Sequence, residues 1–243
     1  MQPSDMLFGT FRNKYDQGAL LVKDFYDDAY FSDVYNQMCE TINDKDQYLA
    51  MISRDQKVLE IGTGSGRMFH FLTDEGYDVS GVEPAGEMLK FINPLYRHKV
   101  YQIGIEVINS LGMMQFDCII IPATTVSLFD FATFEQFLKD ATNLLTENGE
   151  IIFDFWDENY VDKLDDSLQK VKIDGKSVFY SNFIRDEQLI FNMYTKTDEK
   201  GKLGVSKKYI YTEKYLREAC AKYGYSYALQ EVKDHCKMVR LAK

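Results

Sequence analysis

The sequence contains few cysteines, and they are not arranged to act together. Only four occur among the 243 residues. Cys39, Cys118, Cys220 and Cys236 lack the CxxC spacing that zinc sites and disulfide frameworks show. We therefore expect no metal ion and no disulfide. Cys118 lies within an apolar run and is predicted to be a core residue.

Long apolar runs and an excess of positive charge are also missing. No apolar segment approaches the ~20 residues of a transmembrane helix, and the first segment, MQPSDMLFGTFRNKYDQ, lacks the basic and apolar parts of a signal peptide. With 28 basic and 38 acidic side chains the net charge is −10, which repels nucleic acid and anionic lipid. The sequence thus predicts a cytoplasmic protein that binds a small molecule and neither nucleic acid nor membrane.

What the chain does contain is typical of an ordered α/β domain. Hydrophobic residues make up 45% of the sequence and aromatic residues 14%, which is enough for a large core. Short apolar runs alternate with amphipathic stretches, and this alternation is typical of a mostly parallel sheet covered by helices. We expect a single domain over residues 1–243.

Local patterns place the individual elements. Strands are predicted over residues 57–61, 78–82, 99–103, 116–121 and 150–155. Helices are predicted over residues 66–75, 88–95, 133–145 and 213–223, and the last two strands, 225–232 and 237–241, are predicted to form a closing hairpin.

These elements divide the domain into four parts. Residues 20–52 are predicted to be a helical lip at one face of the sheet, and residues 53–156 form the core that carries a glycine-rich loop. Residues 157–210 are predicted to be a small antiparallel β insertion, because turn residues repeatedly interrupt their apolar runs. Residues 211–243 complete the core.

The glycine-rich loop is the most specific feature of the chain. The first core strand ends at Glu60-Ile61 and runs into Gly62-Thr63-Gly64-Ser65-Gly66, which lets the backbone turn tightly beside a ligand. Arg67 stands where the dinucleotide motif GxGxxG needs its last glycine, and no Lys-Ser or Lys-Thr pair follows. The loop is therefore a cofactor-loop candidate that fits neither NAD, FAD nor a P-loop nucleotide.

Two motifs together resemble class I S-adenosylmethionine-dependent methyltransferases. The segment VLEIGTGSGR is similar to that family's hhExGxGxG motif, and VSGVEPAGEML is similar to its hGhDxSxxML motif. The later part of the chain resembles small-molecule N-methyltransferases of the glycine and amino-sugar type. The resemblance implies a Rossmann-like, mostly parallel seven-stranded sheet with an antiparallel closing strand, and S-adenosylmethionine as the cofactor.

The resemblance also implies a set of cofactor-binding residues. Glu83 at the end of the second strand is expected to accept hydrogen bonds from both ribose hydroxyls. The Gly-Asp that often follows the third strand is absent, so Ile105 and Glu106 are expected to contact the adenine instead. The full predicted set is Tyr26, Tyr30, Glu60, Gly62, Thr63, Gly64, Arg67, Glu83, Pro84, Met88, Ile105, Glu106, Pro122 and Ala123.

The methyl acceptor is expected at the ends of the fourth and fifth strands. Ligands of open α/β sheets bind beyond the carboxyl ends of the strands, which places the segment FDCIIIPATTVSLF and the pair Asp154 and Trp156 near the reaction. Predicted catalytic residues are Asp154, Thr124 and Tyr26, and predicted substrate-binding residues are Thr125, Asp154 and Trp156. An alternative for Thr124 is a helix cap, and Asp154 and Trp156 have the alternative of an exposed strand end and a packed ring.

These features predict methyl transfer to a small molecule, with an amine nitrogen as the expected acceptor. The alternatives are a non-catalytic S-adenosylmethionine-binding protein and a methyltransferase acting on a peptide N-terminus or a hydroxyl oxygen. The insertion resembles a lid over the acceptor site. Its aromatic residues have three possible roles: packing on the core, which is the default, covering the acceptor, or forming a homodimer interface.

Overall fold

The computed structural model describes residues 2–196, 200–231 and 235–243. The strands are β1 Leu20–Leu21, β2 Lys57–Ile61, β3 Asp78–Val82, β4 Val100–Tyr101, β5 Phe116–Ile121, β6 Leu145–Trp156, β7 Gln169–Ile173, β8 Lys176–Arg185, β9 Gln188–Thr195, β10 Lys202–Tyr209, β11 Ser226–Glu231 and β12 Cys236–Ala242. The α-helices are α1 Gly9–Asp16, α2 Ala29–Cys39, α3 Lys45–Leu49, α4 Arg67–Asp74, α5 Phe131–Leu144, α6 Glu158–Val161 and α7 Glu213–Lys222. Turns of 3₁₀ helix cover Pro3–Met6, Met88–Phe91, Arg97–Lys99, Ile105–Leu111, Thr125–Leu128 and Asp162–Leu164.

The main sheet has seven strands in the order β11-β12-β6-β5-β2-β3-β4. Strands β2 to β6 are parallel to one another, whereas β12 is antiparallel to both β6 and β11. The predicted α/β fold, with a Rossmann-like sheet and one antiparallel closing strand, is therefore confirmed. No helix within the described ranges is long and apolar enough to cross a membrane.

A second, antiparallel sheet is built from the insertion. Strands β7 to β10 pair in sequence, as predicted, but a fifth strand comes from far upstream. Leu20 and Leu21 pair in parallel with Lys202 and Leu203. The prediction that residues 20–52 are helical is thus wrong at its start, because a strand of two residues is too short to produce an alternating pattern. Helices α2 and α3 account for the rest of that segment together with the loops around them.

Three further element boundaries differ from the predictions. The helix expected over residues 88–95 is a single 3₁₀ turn that ends before Pro94, and the strand expected over 99–103 contains only two residues. Strand β6 starts at Leu145, five residues earlier than predicted, with Asn148-Gly149 inside an irregularity where the register shifts. Short elements of this kind are decided by their neighbours more than by their own sequence.

The sheet buries an apolar core on each of its two faces. Leu59, Ile119 and Phe153 pack toward α5 and α7 on one face. Val58 and Ile120, which alternate with them along the strands, pack toward α3 and α4 on the other. Cys118 is fully buried in the second group, as predicted for a core residue. Because β2 to β6 run parallel, their carboxyl ends all lie at one edge of the sheet. A ligand site is expected in the loops beyond that edge.

One carboxylate contributes to the attachment of the N-terminal segment to the second sheet. Asp28 caps α2 by accepting hydrogen bonds from the backbone N–H groups of Tyr30 and Phe31. The same carboxylate pairs with the Lys202 ammonium, whose Nζ lies 2.6 Å from Oδ2. Phe25 and Phe31 stack nearby with ring centroids 5.3 Å apart and pack in the same apolar cluster as β9. The helix and the inserted sheet are thus fixed to each other.

Replacing Asp28 separates its two contributions. Asp28→Ala removes both the cap and the ion pair and is expected to destabilise the fold by roughly 1–3 kcal/mol. Asp28→Asn keeps a capping oxygen and loses only the charge, so it is expected to lose less than half as much. Urea unfolding of the two variants tests this, and equal losses would show that the cap contributes little.

Candidate functional site

The glycine-rich loop leaves β2 at the carboxyl edge of the sheet. Gly62, Gly64 and Gly66 have φ values of 72°, 57° and 90°, in the left-handed region that favours glycine. At Gly66 a Cβ would also lie 2.7 Å from the His70 ring and from Ile92. The backbone turns here because no side chain is present, and the turn leads directly into α4.

Glu83, at the end of β3, holds this loop in place. Its Oε2 accepts a hydrogen bond from the Gly64 N–H at 2.9 Å, and its Oε1 accepts one from the Ala85 N–H at 2.8 Å. The side chain is buried, and burial raises its pKa above the usual range. Each carboxylate oxygen can still accept a second hydrogen bond, so Glu83 can bind a ligand with two neighbouring hydroxyls.

A cavity of about 330 Å³, which we call the loop cavity, lies over the glycine loop. Its lining includes the predicted residues Tyr26, Gly62, Gly64, Glu83, Pro84, Met88, Ile105 and Glu106. It also includes Phe129, the last residue of the segment expected near the reaction, and Asp24, Asp27 and Tyr35, which were not among the predicted site residues.

The polar and apolar groups that line the loop cavity fit an adenosine-containing cofactor. Glu83 supplies hydrogen-bond acceptors for hydroxyls, while Met88, Ile105 and Leu128 supply apolar walls in the same space. At Gly64 an added Cβ would meet only the Gly62 carbonyl oxygen, 3.9 Å away, so the loop lies open to a ligand. Within the described residues, no group of three or more His, Cys, Asp or Glu side chains is placed to hold a metal ion.

Tyr30 lies outside this cavity, which corrects its prediction as a cofactor residue. Its hydroxyl is 2.9 Å from Thr195 Oγ1 on β9, and its ring lines a separate surface depression beside Leu20 and Lys202. The cause is the position of α2, which begins at Ala29 and turns Tyr30 toward the inserted sheet. Tyr26 precedes the helix and points into the loop cavity instead.

Other predicted cofactor residues support the loop from behind. Thr63 is buried and lies against Gly81 of β3. Arg67 binds Asp44 with both terminal nitrogens, Nη2 lying 2.7 Å from Oδ2. Thr63 and Arg67 therefore shape the loop without lining the loop cavity. Pro122 comes directly after β5 and does not line the loop cavity either.

Glu60 is buried on the face of β2 opposite to Ile61. It is 2% exposed, and its Oε2 has no hydrogen-bond partner among the described residues. Burial raises its pKa to about 8, partly offset by the Arg67 guanidinium. At neutral pH the carboxyl is therefore mostly protonated, and it does not line the loop cavity as its prediction required.

A second cavity of about 520 Å³ lies between the strand ends and the inserted sheet. We call it the lid cavity. Its lining includes Ala123, Thr124, Asp154 and Trp156 from the main sheet, Asn182, Phe191 and Lys208 from the inserted sheet, and Cys39, Asp44, Gln47 and Tyr48 from α2, α3 and the loop between them. Thr125, predicted to bind substrate, lines the loop cavity instead.

Tyr26 and Tyr35 line both cavities and mark the place where these adjoin. Their rings meet edge to face with centroids 5.2 Å apart. The Tyr26 oxygen accepts a hydrogen bond from Ser206 Oγ at 3.4 Å, and burial raises the pKa of Tyr26 to about 12. Tyr26 is thus a neutral phenol at physiological pH.

The Asp154 side chain on β6 forms a hydrogen bond with the loop that follows β5. Its Oδ1 accepts a hydrogen bond from the Tyr48 hydroxyl at 2.6 Å, and its Oδ2 accepts one from the Thr124 N–H at 2.7 Å. Ala123 and Thr124 both have left-handed φ, 57° and 54°, a conformation that costs about 1–2 kcal/mol per residue for non-glycines. The carboxylate therefore fixes a strained turn at the wall of the lid cavity.

The non-functional alternatives considered for Thr124, Asp154 and Trp156 agree only in part with the structure. Thr124 caps the following 3₁₀ turn by position, but its side chain makes no capping hydrogen bond. Asp154 is 5% exposed, so it is not a solvated strand end, and burial raises its pKa to about 6. The Trp156 ring lies under the Lys208 ammonium, 4.7 Å from Nζ to the ring centroid.

Several site residues were not indicated by the sequence. Tyr48 comes from α3 and reaches Asp154 across 106 residues of chain. Lys208 comes from the inserted sheet, where it is one of two adjacent lysines. Only the long-range fold brings these side chains to the strand ends, since neither lies in a recognisable motif.

Comparison with known proteins agrees with this geometry. The sheet order and the glycine loop beside a strand-end acid define a Rossmann-like protein with a cofactor cavity. A family model described as methyltransferase domain matches residues 30–230, and the chain belongs to this family. An uncharacterized methyltransferase from Alkaliphilus oremlandii is 24% identical over 208 residues, covering 79% of this chain and 88% of that protein.

Two solved structures share the fold. The CcbJ methyltransferase from Streptomyces caelestis has a TM-score of 0.73 at 17% identity, covering 90% of this chain and 98% of that chain. An amino pentose methyltransferase from Micromonospora echinaspora, solved with S-adenosylmethionine bound, has a TM-score of 0.61 at 16% identity. The alignment covers 97% of this chain and 98% of that one.

Glu60→Gln is expected to make stability less dependent on pH. The folded chain keeps the Glu60 proton up to about pH 8, whereas the unfolded chain releases it near about pH 4.3. Stability of the native protein therefore falls as the pH rises between these values, and the variant escapes this loss. Urea unfolding measures the free energy of unfolding of both proteins. The value for the variant minus that for the native protein is expected to be more than about 1 kcal/mol larger at pH 8 than at pH 5.

The exposed Glu75→Gln is the matched control, because its surface ion pair with Arg54 contributes little. Parallel pH curves for the native protein and Glu60→Gln would contradict the burial of an ionisable proton at Glu60.

Tyr48→Phe is expected to destabilise the fold by roughly 1.5–3 kcal/mol, because the buried Asp154 carboxylate loses a donor. Tyr225→Phe is the matched control. It removes a tyrosine hydroxyl that donates to the neutral Leu138 carbonyl at 2.9 Å, and its expected cost is about 1 kcal/mol. Chemical denaturation measures both, and equal losses would show that the charge of Asp154 is unimportant.

Proposed function

We propose that this chain transfers a methyl group from S-adenosylmethionine to a small-molecule acceptor, at an amine nitrogen. The observation that carries this proposal is the adjoining of two cavities at Tyr26 and Tyr35. One cavity contains the glycine loop and Glu83, and the other is bounded by the strand ends and the inserted sheet. A group-transfer enzyme needs two ligands to meet at such a junction.

The first cavity is proposed to hold the cofactor. Glu83 would accept the ribose hydroxyls, and the backbone at Gly62 and Gly64 would lie against the methionine part. The S-adenosylmethionine bound by the related amino pentose enzyme supports this choice. When bound, the cofactor supplies a methyl carbon that its sulfonium has already activated.

The second cavity is proposed to hold the acceptor. Its volume of about 520 Å³ lies within the range of small-molecule sites, ~300–1,000 Å³. That size favours a small acceptor over a peptide N-terminus. A sugar N-methyltransferase from Streptoalloteichus that shares the fold, with a TM-score of 0.67 at 14% identity, supports an amine over a hydroxyl.

The protein's contribution to the reaction is mainly orientation. Tyr26 is a neutral phenol at the junction of the cavities, where it can donate a hydrogen bond to a ligand. Asp154 holds the Ala123-Thr124 turn that forms one wall of the lid cavity, so we assign it a positioning role. Holding two reactants at attack distance provides a large part of the rate enhancement in such displacements.

Two further expectations remain proposals. A cytoplasmic location rests on the sequence alone. A homodimer through the inserted sheet would need a free apolar face, but Phe183 and Phe191 pack against the chain's own Phe11 and Phe25. The edge strand β7 of that sheet is then the remaining surface for such a contact.

Binding measurements test the cofactor assignment. Isothermal titration is expected to show binding of S-adenosylmethionine and S-adenosylhomocysteine, with Glu83→Ala weakening both by ~tenfold or more, about 1.4 kcal/mol. Glu87→Ala is the control, because that side chain pairs with Lys90 outside the loop cavity. Failure of the native protein to bind either ligand would refute the proposal. Binding without methylated product from any amine would favour the non-catalytic alternative.

A further inference from the structure

Lys208 is a cation in the lid cavity for which the described residues supply no charged partner. It lies on β10 and lines the cavity, and its Nζ lies 4.7 Å from the centre of the Trp156 ring. Among the described residues its ammonium makes no hydrogen bond or ion pair. Lys202 on the same strand, by contrast, is paired with Asp28.

The acidic groups of the cavity are already engaged by other residues. Asp44 is bound by both terminal nitrogens of Arg67. Asp154 accepts hydrogen bonds from Tyr48 and Thr124 on its two oxygens. Lys208 is the only lysine or arginine among the described residues that line the cavity, and within that part of the chain no carboxylate forms an ion pair with it.

The Lys208 ammonium loses part of its hydration in the cavity, and this loss destabilises the charged form unless another interaction replaces the water. Burial lowers the pKa of Lys208 to about 8, so the side chain still carries its charge at neutral pH. The face of Trp156 compensates part of the lost hydration, since the ring quadrupole attracts a cation placed over it. A carboxylate bound in the cavity would compensate the rest through a charge-assisted hydrogen bond.

The position of Lys208 relative to the cavity junction suits a small molecule with groups at both ends. Ser206, which bonds to Tyr26 at the junction, precedes Lys208 by two residues on β10. Alternate residues of a strand share a face and lie about 7 Å apart. One end of a ligand can therefore reach the junction while its other end meets the Lys208 ammonium.

We propose that the methyl acceptor carries a carboxylate, which pairs with Lys208 above Trp156 while the amine lies at the junction beside Tyr26. This inference rests on the proposed function, because it identifies the chemical class of the acceptor for the same site. It also gives Lys208 a role in specificity instead of in proton transfer.

The single tryptophan of the chain provides a direct readout. The native protein loaded with S-adenosylhomocysteine is titrated with amines in matched pairs while the Trp156 fluorescence is recorded. The pairs are glycine and glycinamide, β-alanine and β-alaninamide, 4-aminobutyrate and 4-aminobutanamide, and 4-(aminomethyl)benzoate and its amide. At least one carboxylate is expected to bind ~tenfold or more tightly than its amide.

Variants at two adjacent positions assign that preference. Lys208→Met is expected to reduce it to less than ~twofold, and Lys208→Arg is expected to retain it. Lys207→Met is the matched control, because Lys207 faces the other side of β10 and its ammonium lies over Tyr209. Affinity for S-adenosylhomocysteine is expected to stay unchanged in all three, which shows that each variant is folded. With turnover as readout, Lys208→Met is expected to raise KM for the carboxylate more than it lowers kcat.

The outcomes separate the two proposals. If the native protein does not bind S-adenosylhomocysteine, the proposed function fails. If it binds S-adenosylhomocysteine but no carboxylate, or binds amides equally well, only the inference about the acceptor is overturned. The inference is also overturned if Lys208→Met keeps the preference, or if it abolishes turnover of acid and amide alike with KM unchanged, as loss of a base would.

Discussion

The site depends on one interaction that the fold uses twice: an acid at a strand end accepts a backbone N–H from the loop leaving the neighbouring strand. Glu83, which directly follows β3, binds Gly64 in this way, and Asp154 on β6 binds Thr124. Both loops contain left-handed residues that would not hold their shape alone. The parallel order of the strands brings each acid beside the loop it holds, so the two cavities take their walls from the sheet itself.

The inserted sheet and the N-terminal segment form the rest of the site as one unit. The pairing of β1 with β10 and the ion pair between Asp28 and Lys202 join segments that are far apart in sequence. Tyr26 lies between these attachments, and Lys208 follows on the same inserted strand. The strand pairing and the ion pair, which both lie outside the lid cavity, therefore set the positions of Tyr26 and Lys208 over the main sheet.

Local patterns predicted the parts of the structure that local sequence decides. The glycine loop, Glu83 and the closing hairpin each follow from residues adjacent in the chain, and the structure places them as expected. Tyr30 departs from its prediction because the start of α2 decides which way its side chain points. Tyr48 and Lys208 could not be predicted, because their significance comes from partners on strands that pair over long distances. Burial, which shifts the pKa of Glu60 and Asp154, likewise exists only in the folded chain.

The parallel pairing of Leu20 with Lys202 also has a consequence for biosynthesis. Contacts between such distant segments form late, because the intervening chain must first be ordered. During translation, Phe11, Phe25 and Phe31 emerge long before the inserted strands that bury them. This nascent segment therefore exposes an aromatic surface of the kind that recruits chaperones, and the lid cavity is among the last parts of the molecule to be completed.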